Sequence, residues 1–370
     1  MDKPKILYGI CGIGSGHTER QQPLVEHFAR QARMMIFGYG TSLERYSNQF
    51  EGNENVQVVP VSVPFYPGNR QGLDFKAALN APQNREREFF EINAEAMSRA
   101  QDFLGKPDVV ISDYEPVVAQ YSYAKGSPLV TIDQQSKYLS GDFPEDLNGQ
   151  TYKDEVERLQ MFFPRVDMRI ACSFFDAPQK ENIGQPVAIY SPILKNSILG
   201  LKRKPNPDSK SILVYISRQK AFTQTLEEIK QICSHERGTM FHIFGANNEA
   251  EIRESENIKT YQHGDPRFMG VLTECQGIVS TAGHTLLSEA MHLGIPVYAM
   301  PLPLYEQEMN GHIIGRNNFG MSHPVLDQEK LSEFIREIEE YARNIRKDYK
   351  VLLRGSSHQK IIDQIERFLQ

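Results

Sequence analysis

Along the whole chain, short runs of four to eight mostly apolar residues alternate with longer stretches whose apolar positions recur every three or four residues. Runs that short, rich in β-branched side chains, predict strands, and the intervening periodicity predicts amphipathic helices. Repeated strand–helix units build parallel sheets with helices on both faces, so the chain reads as an α/β protein. In the first half the predicted strands are residues 6–10, 34–37, 56–63, 109–112, 129–132 and 169–172, with helices over about 17–31, 84–104, 116–124 and 153–162. The pattern restarts with strands at 211–217, 240–244, 258–261, 277–280 and 296–300, and it closes with helices over 328–354 and 358–370.

A chain of 370 residues exceeds what one core usually organises. The break between the two halves falls at 192–210, where Pro192, Pro205 and Pro207 interrupt a stretch with little periodicity. The expected division is therefore a first domain over 1–191, a linker over 192–210, a second domain over 211–352 and a final helix over 353–370. Residues 63–83, with several prolines and glycines, read as a long loop whose place after a strand suits a flap on the acceptor side.

Composition narrows the classes. The chain is 40% hydrophobic and 24% charged, and it holds no uninterrupted apolar run of the length a membrane span requires. It begins directly with a strand-like run rather than a secretory signal, which makes cytoplasmic residence the expectation. Cys11, Cys172, Cys233 and Cys275 are scattered and form neither a CxxC pair nor a ligand cluster, so reduced buried thiols are expected, with no disulfide framework and no metal site. A net charge of −6 gives no global footprint for nucleic acid, and the basic clusters at 202–204 and 343–350 read as solvated surface.

The first chemical motif follows the first strand. Cys11, Gly12, Gly14, Gly16 and His17 form a glycine-rich turn leading into a helix, which lets backbone approach a ligand and aims free N–H groups outward. A P-loop would need a lysine here, and there is none; a dinucleotide fingerprint would need glycine where His17 stands and an acid where Phe37, Gly38 and Tyr39 end the next strand. The remaining reading makes His17 the point of the motif, an imidazole at the first helical turn that can take a proton from a hydroxyl. Asp113 ends another strand, at the end that faces the crevice of an open sheet, with Glu115 beside it. Either acid could be the base, could orient His17, or could bind the acceptor, and Asp113 could equally cap the next helix.

The second motif spans 277–310. A strand ends near Ser280, a small-residue turn follows, and a helix begins at about His284; its N-terminus offers unpaired N–H groups and the positive end of the helix dipole to a diphosphate. Gly283 leaves room for close approach, and Glu289 could accept hydrogen bonds from ribose hydroxyls. Beyond the next strand, Glu306 and Gln307 stand in a loop leading into a helix, where they could bind sugar hydroxyls.

This segment resembles the donor-binding signature of GT-B glycosyltransferases. It resembles especially the branch containing the N-acetylglucosaminyltransferase that completes the lipid-linked peptidoglycan precursor and related macrolide and plant enzymes. The resemblance implies two Rossmann-like domains facing across a cleft, with the C-terminal helix packed back on the first. It further implies that Gly283, His284 and Thr285 bind the diphosphate, Glu289 the ribose, and Glu306 with Gln307 the transferred sugar, while Asn310 braces the turn. The family's glycine loop with histidine matches Gly14, Gly16 and His17. Where the family has a glycine-rich turn after the first strand of the second domain, this chain has Ser217, Arg218 and Gln219; the hydroxyl and guanidinium of Ser217 and Arg218 could replace backbone contacts to phosphate, or the two residues could be structural.

The expected reaction is transfer of a sugar from a nucleoside diphosphate, UDP foremost, to an acceptor hydroxyl with inversion. His17 or Asp113 acts as base, and neither cofactor nor metal is required, since no Asp-x-Asp triplet is present to hold a cation. The acceptor, whether glycan, lipid-linked, small molecule or nucleic acid, is not legible, and peripheral membrane contact stays open. Two alternatives remain: a sugar-nucleotide 2-epimerase, and a nucleotide-sugar-binding protein without turnover.

Overall fold

A computed structural model describes residues 3–85, 88–180, 186–205, 210–216, 222–252 and 254–369. The chain divides into two units, one formed by Met1–Asn196 together with Gly355–Gln370, the other by Ser197–Arg354.

In the first unit, strands β1 (Lys5–Ile10), β2 (Arg33–Gly38) and β3 (Val56–Pro60) are followed by the two-residue strands β4 (Gly68–Asn69) and β5 (Gly72–Leu73), and then by β6 (Val109–Asp113), β7 (Leu129–Asp133), β8 (Met168–Cys172) and β9 (Val187–Tyr190). Seven of them form one sheet in the order β3-β2-β1-β6-β7-β8-β9, with every neighbouring pair parallel. Strands buried on both faces carry near-continuous apolar runs, as in Val109, Val110 and Ile111, all fully buried. The order reverses direction between β1 and β6, the switch point outside whose carboxyl ends ligands bind in such sheets. Ile10 pairs with Asp113, so the glycine loop and the end of β6 emerge at the same level.

The second unit repeats the plan with β10 (Lys210–Tyr215), β11 (Thr239–Ala246), β12 (Ile258–Gln262), β13 (Gly277–Thr281), β14 (Val297–Met300) and β15 (Gly320–Ser322). They form a parallel sheet in the order β12-β11-β10-β13-β14-β15, whose switch point lies between β10 and β13. The helix Gln328–Lys347 covers one face with Leu331, Phe334, Ile335 and Ile338, spaced three and four apart.

Four expectations are corrected. Residues 63–83 are not one loop: β4 and β5 pair as a small hairpin, and the helix Phe75–Asn80 follows, capped by Asp74. Glu157 anchors the hairpin by accepting from the Leu73 N–H at 2.6 Å. The predicted helix over 84–104 is a 3₁₀ turn, Pro82–Asn84, followed by the helix Glu88–Phe103. The helix expected to reach 354 stops at Lys347, where Asp348 turns extended. Finally, β9 and β15 were not foreseen, being edge strands of only four and three residues.

The C-terminal helix His358–Glu366 packs on the first unit. Ile361, Ile362 and Ile365 join Leu24, Val25 and Phe28 in its core, and Ser357 binds back to Pro192 through its N–H at 3.0 Å.

Candidate functional site

At the switch point of the first sheet, β1 passes into the glycine loop. A β-carbon at Gly12 would fall 1.5 Å from the Tyr39 carbonyl oxygen, so glycine alone permits this approach. Gly14, with φ +67°, is the N-cap of the helix Ser15–Gln31. Thr41 pins the loop, its hydroxyl donating to the carbonyls of Gly12 (3.1 Å) and Gly14 (2.6 Å). His17 therefore sits in the first turn of that helix, with Gly16 before it.

His17 Nδ1 lies 3.0 Å from Asp113 Oδ1. Asp113 is fully buried at the end of β6; the chain turns sharply after it at Tyr114, whose φ of +57° is rare for a bulky residue. Arg20, one helical turn beyond His17 and 6% exposed, places Nη2 2.5 Å from the same Asp113 oxygen and 2.7 Å from His17 Nδ1. Burial alone would raise the Asp113 pKa, but Arg20 and then His17 outweigh it and hold the carboxyl below its ordinary value. Burial and Arg20 oppose charge on the His17 ring; the Cys11 thiol and Asp113 prevail and raise its pKa to about 10. Cys11 is itself buried, with Sγ 3.1 Å from the Tyr39 hydroxyl.

Glu115 has a different task. It is the N-cap of the helix Pro116–Lys125, and its two oxygens accept from Val117 N–H (2.8 Å) and Val118 N–H (3.0 Å). Of the two acids weighed from the sequence, Glu115 is the cap and Asp113 is the partner of His17. Burial pushes the Glu115 carboxyl up to about 7, against the pull of those two N–H groups.

An aromatic path leads away from the histidine. Tyr114 lies 6.4 Å from the His17 ring, Phe162 is 6.3 Å from Tyr114, and Tyr66 is 5.9 Å from Phe162 and 6.3 Å from Phe75. Beyond it Phe65, Phe75 and Leu79 are exposed.

In the second unit, β13 ends at Thr281 and the helix His284–Leu293 begins after Gly283, its N-cap, which has no side chain to cover the first N–H groups. A β-carbon at Gly283 would meet nothing within 4 Å. His284 is buried, its carbonyl accepting from Ser288 Oγ at 2.7 Å; Thr285 and Glu289 are half-buried on the same helix. Asn310 Nδ2 donates to the Ala282 carbonyl at 2.9 Å and so ties the turn to the helix Tyr305–Arg316. Glu306 is half-buried in that helix's first turn. Gln307 is buried, its side-chain oxygen accepting from Leu302 N–H at 3.0 Å, so that it shapes the loop before the helix. Ser217 and Arg218 lie outside the described residues.

Sequence reading missed Arg20. Its signal was available: a charged residue three positions after His17, on the helix face that also carries the buried Leu24 and Phe28.

The fold is shared with solved glycosyltransferases. Across 99% of this chain and 100% of the other, the structure is similar to the glycotransferase of kitacinnamycin, with a TM-score of 0.64 at 13% identity. CalG4, the calicheamicin glycosyltransferase, aligns over 100% of this chain and 99% of its own, with a TM-score of 0.61 at 16% identity. Arabidopsis thaliana UGT89C1, solved with UDP-L-rhamnose, aligns over the full length of both chains, with a TM-score of 0.67 at 15% identity. The architecture is thus the two-domain GT-B fold. A search among curated proteins found no match. The family model described as glycosyl transferase family 1 matches residues 4–339, and the chain belongs to that family. It is accordingly a transferase enzyme that moves sugar.

Proposed function

We propose that this enzyme transfers a sugar from a nucleoside diphosphate, UDP foremost, to an acceptor hydroxyl by direct displacement with inversion and without a metal. The observation that carries the reading is the buried Asp113 carboxylate held 3.0 Å from His17 Nδ1 at the switch point of the first sheet. A carboxylate at Nδ1 fixes the ring and leaves Nε2 as the nitrogen for a substrate hydroxyl. In the step, the acceptor oxygen bonds to the anomeric carbon and its proton passes to His17. The bond from that carbon to the diphosphate breaks, its electron pair leaving with the diphosphate oxygen.

On the donor side, the helix N-terminus at Gly283, His284 and Thr285 stabilises the departing diphosphate through N–H groups and the helix dipole. Glu289 binds ribose, Glu306 the sugar, and Ser217 with Arg218 adds phosphate contacts. UDP is favoured because UGT89C1 was solved with UDP-L-rhamnose and another structural neighbour, LpCGTa, with UDP. The aromatic path from Tyr114 to Phe75 favours an acceptor with an apolar or aromatic part. Placement in the branch of the peptidoglycan-precursor enzyme rests on the motif resemblance at 277–310 alone.

The test is calorimetry of the purified protein against UDP, dTDP and GDP without added metal, repeated on Glu289→Ala. Micromolar binding of UDP that weakens about tenfold or more in the variant, or about 1.4 kcal/mol, is expected. If none of the three nucleotides binds, the donor site as assigned is wrong.

A further inference from the structure

We propose that Arg20 is a positioning residue for the His17–Asp113 pair: its guanidinium shares the carboxylate oxygen that the ring uses, holding it in place for Nδ1 while opposing a second proton on the imidazole. The inference deepens the reading of His17 as proton acceptor and rests on it.

The geometry distinguishes this from an ordinary structural ion pair. Arg–carboxylate pairs are frequently bidentate, with two parallel hydrogen bonds that add both energy and geometric definition. Here one guanidinium nitrogen reaches one carboxylate oxygen, Oδ1, the same oxygen that faces His17. Asp113 Oδ2 and Arg20 Nε are buried without a hydrogen-bond partner. Leaving such groups unpaired costs stability, and the arrangement instead brings two donors, His17 Nδ1 and Arg20 Nη2, to one oxygen.

The convergence constrains the proton. With His17 Nδ1 donating to Asp113, the guanidinium 2.7 Å away cannot also donate to that nitrogen, and it bonds the carboxylate alone. A fixed cation this close disfavours the imidazolium and largely cancels the field of Asp113. Without it the ring, already raised to about 10 by Cys11 and Asp113, would hold its proton to still higher pH and be a base over a narrower range. The other groups facing this cluster are Cys11 from the end of β1, Asp133 from the end of β7, Cys172 from the end of β8, and the phenols of Tyr8, Tyr39 and Tyr46. Of the carboxylates, Asp133 is occupied by Ser136, accepting from its N–H at 2.6 Å and its hydroxyl at 2.9 Å.

The test is a substrate-free titration of the His17 ring by nitrogen-15 NMR of histidine-labelled full-length protein, with His17→Asn identifying its signals. All variants carry Cys11→Ala, so that the thiol does not contribute. Arg20→Met should raise the ring's midpoint by about one unit or more, and Arg20→Lys, which restores the charge, should return it to within a few tenths of the parent. A midpoint unmoved or lowered in Arg20→Met overturns the proposal. Should Arg20→Met not fold, Asp113→Asn decides the matter. With the carboxylate neutralised, Arg20 should depress the ring below the ordinary histidine value of about 6.5, and a midpoint at or above that value means that Arg20 exerts no such field. Failure of UDP binding in calorimetry would strike the donor assignment and leave this titration result standing.

Discussion

A histidine serves as a base only in its neutral form, and at His17 the neighbours favour the charged one. Because burial and Arg20 are outweighed by Cys11 and Asp113, with the ring's pKa raised to about 10, the fraction able to accept a proton grows as pH rises from neutral. Transfer activity should therefore climb through the alkaline range and level off near pH 10. Cys11→Ala removes a group that raises the ring's pKa, so the climb should shift to lower pH and the rate at pH 7 should increase; a pH profile left in place would show that the thiol does not act on the ring. His17→Ala and Asp113→Asn should each lower kcat by about 10²- to 10⁴-fold, the usual span for general-base catalysis. Glu115→Gln is the contrast. It weakens a helix cap by about 1 kcal/mol, and it should lower the melting temperature while leaving the pH profile where it was.

At the scale of elements, the site depends on turns that hold helix N-termini open. Asn310 is fully buried, with its amide on the Ala282 carbonyl. Asn310→Ala should leave that carbonyl without a partner, at about 1–3 kcal/mol, and loosen the turn before His284. The expected result is a lower melting temperature together with weaker UDP binding; unchanged affinity would separate the turn from the donor site. Elements with strong periodicity were legible in the sequence: β1, β6, β10 and β13 were located to within two residues at each end, and so were the two turns that carry His17 and Gly283. What was not legible came from contacts distant in sequence. The hairpin of β4 and β5 is anchored where Leu73 N–H meets Glu157, 84 positions away. Arg20 gains its meaning only once β6 brings Asp113 beside it, 93 positions on. Glu115 and Asp113 are two residues apart and looked interchangeable, and the turn at Tyr114 is what sends one to the helix cap and the other to the histidine.

On the scale of the molecule, the first unit is built from both ends of the chain. After Gly355, at φ +80°, the chain re-enters that unit: Ser356 Oγ accepts from Leu194 N–H at 2.9 Å, and the next helix buries Ile361, Ile362 and Ile365 against the helix that begins with the glycine loop. Replacing a buried isoleucine by alanine typically costs about 2–5 kcal/mol, a large part of the net stability of a domain. Ile361→Ala should therefore destabilise the first unit, and with it the helix that carries His17 and Arg20. Denaturation followed by hydrogen exchange would resolve where the loss falls. Amides of β1, β6 and the helix Ser15–Gln31 should lose protection, those of β10 and β13 should keep theirs, and UDP affinity below the unfolding midpoint should stay within about twofold of the parent. Loss of UDP binding alongside full protection of β1 would instead assign the C-terminal helix to the support of the second unit.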